Sequence, residues 1–313
     1  MRLAFYAANT PFGQGVAYAN DALYNGLMIV RSRPTYMALL FAVRGSILPL
    51  VAKRLAVILI ASCLAVWLHH LWPQHLGVSI AAPFTLLGLG LSIFMGFRNN
   101  ACYDRWWEGR KQWGALVATS RNTLRDLTAL LPESDPFHRQ SAHLIGSFAR
   151  HLRDQLRDPR PYTTNKSGRL LTDIADQLGQ RLRAGEISDI TYRLFSDHLS
   201  QMAGVQAACE RLKSAPVPFA YSLMLHRSVW LFCLALPFGL VDILGMGTPF
   251  ITLVLAYSFL GLDALGEELE YPFSTTPNSL PLDAMTRIIE IAVADALHEP
   301  APAPLHPQNY VLL

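Results

Sequence analysis

The chain has 313 residues, 51% hydrophobic and only 16% charged, well under the roughly 25% charged residues of soluble domains. Its formal net charge of +3 is small and its basic residues are dispersed, which argues against a nucleic-acid-binding surface. A positive mean hydropathy of +0.25 points instead to a membrane protein.

Residues 1–27, rich in Ala, Asn, Tyr and Gly, read as an N-terminal extension unlike the rest of the chain, without the basic start and apolar core of a cleavable signal. Residues 37–53 form a moderately apolar approach. From Leu55 to Phe97 no Asp, Glu, Lys or Arg occurs. That run is too long for one crossing of about 20 residues and is punctuated by "HHLWPQHLGVSIAAP" at 69–83, so it predicts two spans, about 55–72 and 81–98. Ser228 to Leu262 carries one acid, Asp242, beside the turn-like "GMGTP" at 245–249, and predicts two more, about 229–244 and 250–265. Arg44, Lys53 and Arg54 precede the first span, Arg98 and Arg105 follow the second, and His226 and Arg227 precede the third. By the positive-inside rule both termini and the long middle segment face the cytosol.

Between the two hairpins, residues 99–215 show helical periodicity broken at "PESDPFH" and at the loop-like "RDPRPYTTNKSG" (157–168), and residues 280–297 form a further amphipathic helix expected to pack on that cytosolic part. No long alternating strand pattern occurs, so the predicted class is all-α: four transmembrane helices plus a cytosolic helical domain. Residues 299–313 form a Pro-rich tail. Cys63, Cys102, Cys209 and Cys233 lie far apart and show no disulfide or metal spacing, and the His69/His70 pair reads as interfacial.

On a helix, Leu89, Ile93 and Phe97 recur every fourth residue as one apolar stripe, and Gly88, Ser92 and Gly96 form an adjacent small-residue face that permits close helix approach in a membrane. Two readings fit. The stripe packs a bundle core, or it lines a narrow axis between identical helices and gates ions by dewetting. Beyond it the same helix becomes charged without a break. Asn99 and Asn100 either line a widening past the constriction or, with Asp104, Arg105, Glu108 and the tryptophans Trp106, Trp107 and Trp113, belong to an interfacial anchor. Glu267, Glu268 and Glu270 read as a solvated helix end or an ion-pairing cluster. No nucleophile with its base, phosphate loop or paired acid accompanies them, so no enzyme is predicted.

The blocks "PFTLLGLGLSIFMGFRNNACYDRWWEGRKQWG" (83–114), "RGSILP" (44–49), "CERLKSAPVPFAY" (209–221) and "LDALGEELEYPF" (262–273) resemble the bestrophin family, in its bacterial branch, over a channel domain at 28–298. The resemblance implies a homopentameric ion channel in the cell (inner) membrane, partnered by its own copies, the bilayer and permeating ions. It places a hydrophobic neck at Leu89, Ile93 and Phe97, and a second, cytosolic exit constriction, carried by "ISDITY" at 187–192, at Ile190. The helix after the neck would continue into a cytosolic vestibule. Small monovalent ions are expected to pass, with the bacterial character tilting towards cations over chloride and other anions. Animal members close a calcium clasp with acids after the last span. Here Thr275, Thr276, Asn278 and Ser279 stand instead, so no calcium clasp and no cofactor is expected. The alternative from another class is a non-conducting membrane protein whose helices dock a cytosolic partner. A transporter, which would show broken helices and polar groups near the midplane, is third.

Overall fold

The computed structural model describes residues 46–72, 81–158, 160 and 165–306, with Ala81 and Ala82 as backbone only. The 1–27 extension, the first part of the 37–53 approach, the break at 73–80 and the last residues of the tail lie outside the described residues. Among those described, every regular element is helical.

The helices are α1 (Leu48–Leu71), α2 (Ala81–Leu130), α3 (Pro136–Arg157), α4 (Lys166–Arg183), α5 (Asp189–Ser214), α6 (Phe219–Leu244), α7 (Thr248–Glu270) and α8 (Leu282–Ala296), with a single 3-10 turn at Gly245–Gly247 joining α6 to α7. α1 starts earlier than the charge-free run suggests, because Pro49 fits the first helical turn, where its missing N–H is not needed. Pro249 does the same for α7, and the Thr248 hydroxyl donates to Gly245 O at 2.8 Å across the turn. The described residues divide into two compact units: those within 46–108 and 215–272, and those within 109–214 and 273–306. α2 is one unbroken helix of 50 residues that belongs to the first unit up to Glu108 and to the second from Gly109.

The first unit is apolar. α1 and the stretch Phe219–Glu270, which holds α6 and α7, are each long and apolar enough to cross a membrane, with mean hydropathy 2.0. Its core is built by Ile58 of α1, Leu91 and Met95 of α2, Phe232 and Leu236 of α6 and Leu260 of α7. Lipid gives apolar side chains no reason to prefer protein, so close packing has to hold such helices together. α2 and α6 achieve it reciprocally. A Cβ on Gly88 would lie 3.1 Å from the Phe232 ring, and one on Gly239 would lie 2.6 Å from the Phe84 ring. Each glycine is the slot for the other helix's aromatic ring.

The second unit is a water-type bundle. α3 and α4 are strongly amphipathic, with Phe137, Ile145, Phe148 and Leu152 of α3 and Leu171, Ile174 and Leu178 of α4 facing inward. α8 packs on α3, α4 on α3, and α5 on α4. Polar ties fix the register. Asp135 caps α3 by accepting from Phe137 N at 2.9 Å, and also holds Arg181 of α4 through a fork of 2.6 and 2.5 Å, while the guanidinium lies 4.9 Å from the Phe137 ring. His198 of α5 lies 2.9 Å from Asp126 of α2. Burial raises the Asp126 carboxyl, but the hydrogen bonds from His198 and Arg125 outweigh it and hold the group below its ordinary range.

Asp135 is subject to the same opposition. Burial raises its carboxyl, yet the Arg181 fork and the Phe137 N–H outweigh that and leave it depressed. Asp135→Ala is expected to cost about 1–2 kcal/mol, read as a lower thermal midpoint. Because the folded value is the depressed one, the contribution is complete above the unfolded value of about 3.9 and is lost as pH falls through the folded value. The gap between native and variant midpoints should therefore be constant from about pH 5 upward and shrink below about pH 4.

Candidate functional site

The faces of α2 in the apolar unit are sharply unequal. Leu91, Met95, Arg98, Cys102 and Trp106 recur at helical spacing and are buried within the protomer. Leu89, Ile93 and Phe97 are 60%, 50% and 63% exposed on the other side. A bundle-core role for that stripe finds no cover among the described residues. Of the small residues, Gly88 is filled by the Phe232 ring, Ser92 donates to Gly88 O of its own helix at 2.8 Å, and Gly96 has open space around it.

One residue past Phe97, Arg98 is buried and its guanidinium joins two carboxylates of α7: Nη1 donates to Asp263 Oδ1 at 2.9 Å and Nη2 to Glu270 Oε2 at 3.5 Å. The second Asp263 oxygen lies 2.8 Å from His226 Nδ1 of α6 and 3.6 Å from Arg54 Nη1 of α1. Ser222 of α6 donates to Glu270 Oε2 at 3.4 Å, and Arg105 reaches Glu270 O at 3.4 Å and Ala215 O at 2.5 Å. Four helices meet in this one network. Buried charge demands such pairing, since taking an ion out of water unpaired costs several kcal/mol. Of the three acids at the end of α7, Glu268 and Glu270 are buried and Glu267 is exposed, so the cluster is ion-pairing rather than solvated. Beside it, burial pushes the Cys102 thiol up to about 11, which keeps it protonated.

The polar residues after the stripe divide. Asn99 donates to Leu262 O of α7 at 3.2 Å, and its Oδ1 occupies the space that a Cβ on Gly266 would need. Asn100 is exposed, as is Asp104. Trp106 and Trp113 are buried and pack the interior rather than anchoring at an interface. Trp107 remains half exposed and stacks with Trp106 at 6.5 Å. Ile190 sits in the other unit, in the first turn of α5, and is 83% exposed. After α7, the hydroxyls of Ser274, Thr276 and Ser279 hydrogen-bond one another, with Thr276 and Ser279 2.7 Å apart. Such a donor set carries none of the negative charge that hard cations draw on. Among the described residues no three His, Cys, Asp or Glu converge as metal ligands.

Sequence reasoning missed the pairing of Arg98 with Asp263. The signal was available: Asp263 falls inside the predicted fourth span and Arg98 at the end of the second, and charge within a span is costly enough to imply a partner.

Comparisons with known proteins agree on one family. Residues 28–295 match the model described as Bacterial/Fungal Bestrophin protein. The chain is 39% identical over 300 residues to the Voltage-dependent anion channel-forming protein mll4386 of Mesorhizobium japonicum, covering 90% of this chain and 96% of that one. It is 40% identical over 282 residues to YneE of Escherichia coli K12, which carries the same descriptive name, covering 84% and 92%. A crystal structure of a bacterial bestrophin homolog from Klebsiella pneumoniae superposes with a TM-score of 0.76 at 38% identity, over 80% of this chain and 99% of that one.

Gly266→Ala should expel the Asn99 amide from its slot. The expected cost is about 1–3 kcal/mol, typical of overpacking, measured as a lower thermal midpoint in detergent. Gly96→Ala, with open space at its Cβ, should leave the isolated protomer's packing unchanged.

Proposed function

We propose, for a chain that belongs to the bacterial and fungal bestrophin family, that it is a homopentameric channel for small monovalent ions, multi-pass in the cell (inner) membrane with both termini cytosolic. The observation that carries this reading is the uncovered stripe Leu89, Ile93 and Phe97 on a helix whose opposite face is buried. An apolar stripe left uncovered by the described residues of its own chain fits a ring of copies around an axis, where it forms a neck that passes ions only when wetted. Gly96 leaves room beside it for a neighbouring helix. The four spans are α1, the first part of α2, α6 and α7. Ile190 forms the exit constriction, and Asn100 lines the path beyond the neck. Asn99, engaged with α7, contributes less to that path. No calcium clasp operates, in keeping with the hydroxyl cluster after α7. The names of the relatives, channel-forming proteins, support a channel rather than an enzyme or a silent docking protein.

Three apolar neck residues cannot discriminate charge, so the sign of the ion is set elsewhere. Asp104 is exposed and lies about two turns past Phe97 on nearly the same azimuth of α2. A ring of five such carboxylates favours cations. The names of the relatives, anion channel-forming proteins, favour a second reading with the opposite sign.

In planar bilayers, replacing Leu89, Ile93 and Phe97 together by Ala should raise open-state current or remove closures, and wild-type-like currents would contradict a neck there. Under asymmetric salt the reversal potential should move towards the cation equilibrium potential, and Asp104→Asn should pull it back towards zero. A reversal at the anion potential selects the second reading.

A further inference from the structure

We infer that the cytosolic ends of α1 and α6 hold an anionic phospholipid, its phosphate at Lys53 and Arg227 and its acyl chains along the outer faces of the two helices. The inference goes beyond conduction and rests only on the membrane topology read above. On α1 the residues buried in the protomer, Val51, Leu55, Ile58, Ser62 and Ala65, recur at alternating steps of four and three. Two residues further on, at the same steps, Lys53, Val57, Ile60, Leu64, Trp67 and Leu71 make the opposite face, and all six are exposed. α6 repeats the pattern. Leu225, Val229, Phe232 and Leu236 are buried, whereas Arg227 and Leu231, again two residues on, are exposed, followed by half-buried Leu234 and Phe238.

The two helices run side by side in the same direction. Near one end Arg54 and His226 reach the same oxygen of Asp263, at 3.6 and 2.8 Å, and near the other His69 Nδ1 lies 3.3 Å from Asp242 Oδ1. Lys53 and Arg227, the chain neighbours of Arg54 and His226, therefore stand at one depth. Neither meets a carboxylate among the described residues. Asp263, Glu268 and Glu270 are buried, and the exposed Glu267 lies 4.0 Å from Arg54. The opposite ends of both helices carry no Lys or Arg, so the charge marks one leaflet.

The side chains of these faces select lipid over a second copy. Helices that pair in a membrane do so through small residues, as Gly88 and Gly239 do between α2 and α6. Val57, Ile60, Leu64 and Leu231 are bulky and suit acyl chains. From Lys53 to Leu71 the face measures about 27 Å at 1.5 Å per residue, close to the roughly 30 Å of bilayer hydrocarbon. Lys53 thereby falls at headgroup level, where a cation attracts anionic lipid and repels the choline of a zwitterionic one.

The test uses the full chain in phosphatidylcholine vesicles with a bimane fluorophore at Val57→Cys, in a Cys63→Ser background, because the other three cysteines are buried. Lipids carrying a nitroxide quench the fluorophore on contact. Nitroxide phosphatidylglycerol should bind there about thirtyfold more tightly than nitroxide phosphatidylcholine, about fivefold for each cation. Lys53→Gln or Arg227→Gln alone should leave about fivefold, and the double variant none. Lys53→Arg with Arg227→Lys should keep the preference, which separates lost charge from misfolding. Lys166→Gln with Arg169→Gln, two exposed cations of α4, should also keep it, as should excess inorganic phosphate. A fluorophore at Leu71→Cys should show no preference. The proposal is overturned by equal quenching from the two lipids, by a preference that survives the double variant, by one that falls as far with Lys166 and Arg169 or with phosphate, or by one that recurs at Leu71. Absence of quenching by either lipid also overturns it, since a neighbouring copy then covers the face. The readout needs no current: a native protein that prefers phosphatidylglycerol but passes no ions keeps the lipid site and sinks the channel reading.

Discussion

A guanidinium shut away from water must be met by carboxylates, and Arg98 is the place where this chain obeys that constraint. Asp263 and Glu270 come from α7, more than 160 residues away in sequence, and their other contacts draw in α1 and α6. Much of the apolar unit's geometry is a consequence. α7 must present its last turns to α2, Gly266 must lack a side chain so that Asn99 can lie against it, and the buried side of α2 must be the one carrying Leu91, Met95 and Arg98. The exposed stripe is what remains.

Two kinds of adhesion meet in that unit. Glycine slots for Phe84 and Phe232 bring α2 and α6 together by shape, which works in lipid where apolar transfer supplies no drive. The ion network adds direction at the polar end. In the second unit burial from water holds the helices together, each fully buried Leu or Phe being worth about 1.5–3 kcal/mol, and polar ties such as Asp135 with Arg181 select the register. The difference follows from composition: α3 and α4 are charged on one face, whereas α1, α6 and α7 are apolar nearly all round.

The helices were legible in sequence because charge is absent over two long runs and because periodicity persists through 99–215. The stripe at 89, 93 and 97 was legible from spacing, but spacing alone could not say whether it faced the chain's own core. That depends on what lies opposite, and the answer came from Leu91 and Arg98 being buried. Asn99 shows the limit plainly. Its neighbour Asn100 has the same side chain, and only the approach of Gly266 and Leu262 separates their roles. The tryptophans mislead for a similar reason: amphipathic bulk suits an interface and a core equally, and Trp113 is in the core. The hydroxyl cluster at 274–279 was visible as a lack of acids, but its mutual hydrogen bonding was not.

Whether the uncovered face of α2 borders an aqueous path is tested most directly by Ile93→Cys in the Cys63→Ser background, exposed during bilayer recording to a charged, membrane-impermeant thiol reagent. A neck at this position predicts irreversible loss of current, faster when the channel is open. Current that persists although a lipid-soluble reagent modifies the same cysteine would place Ile93 against lipid and contradict it.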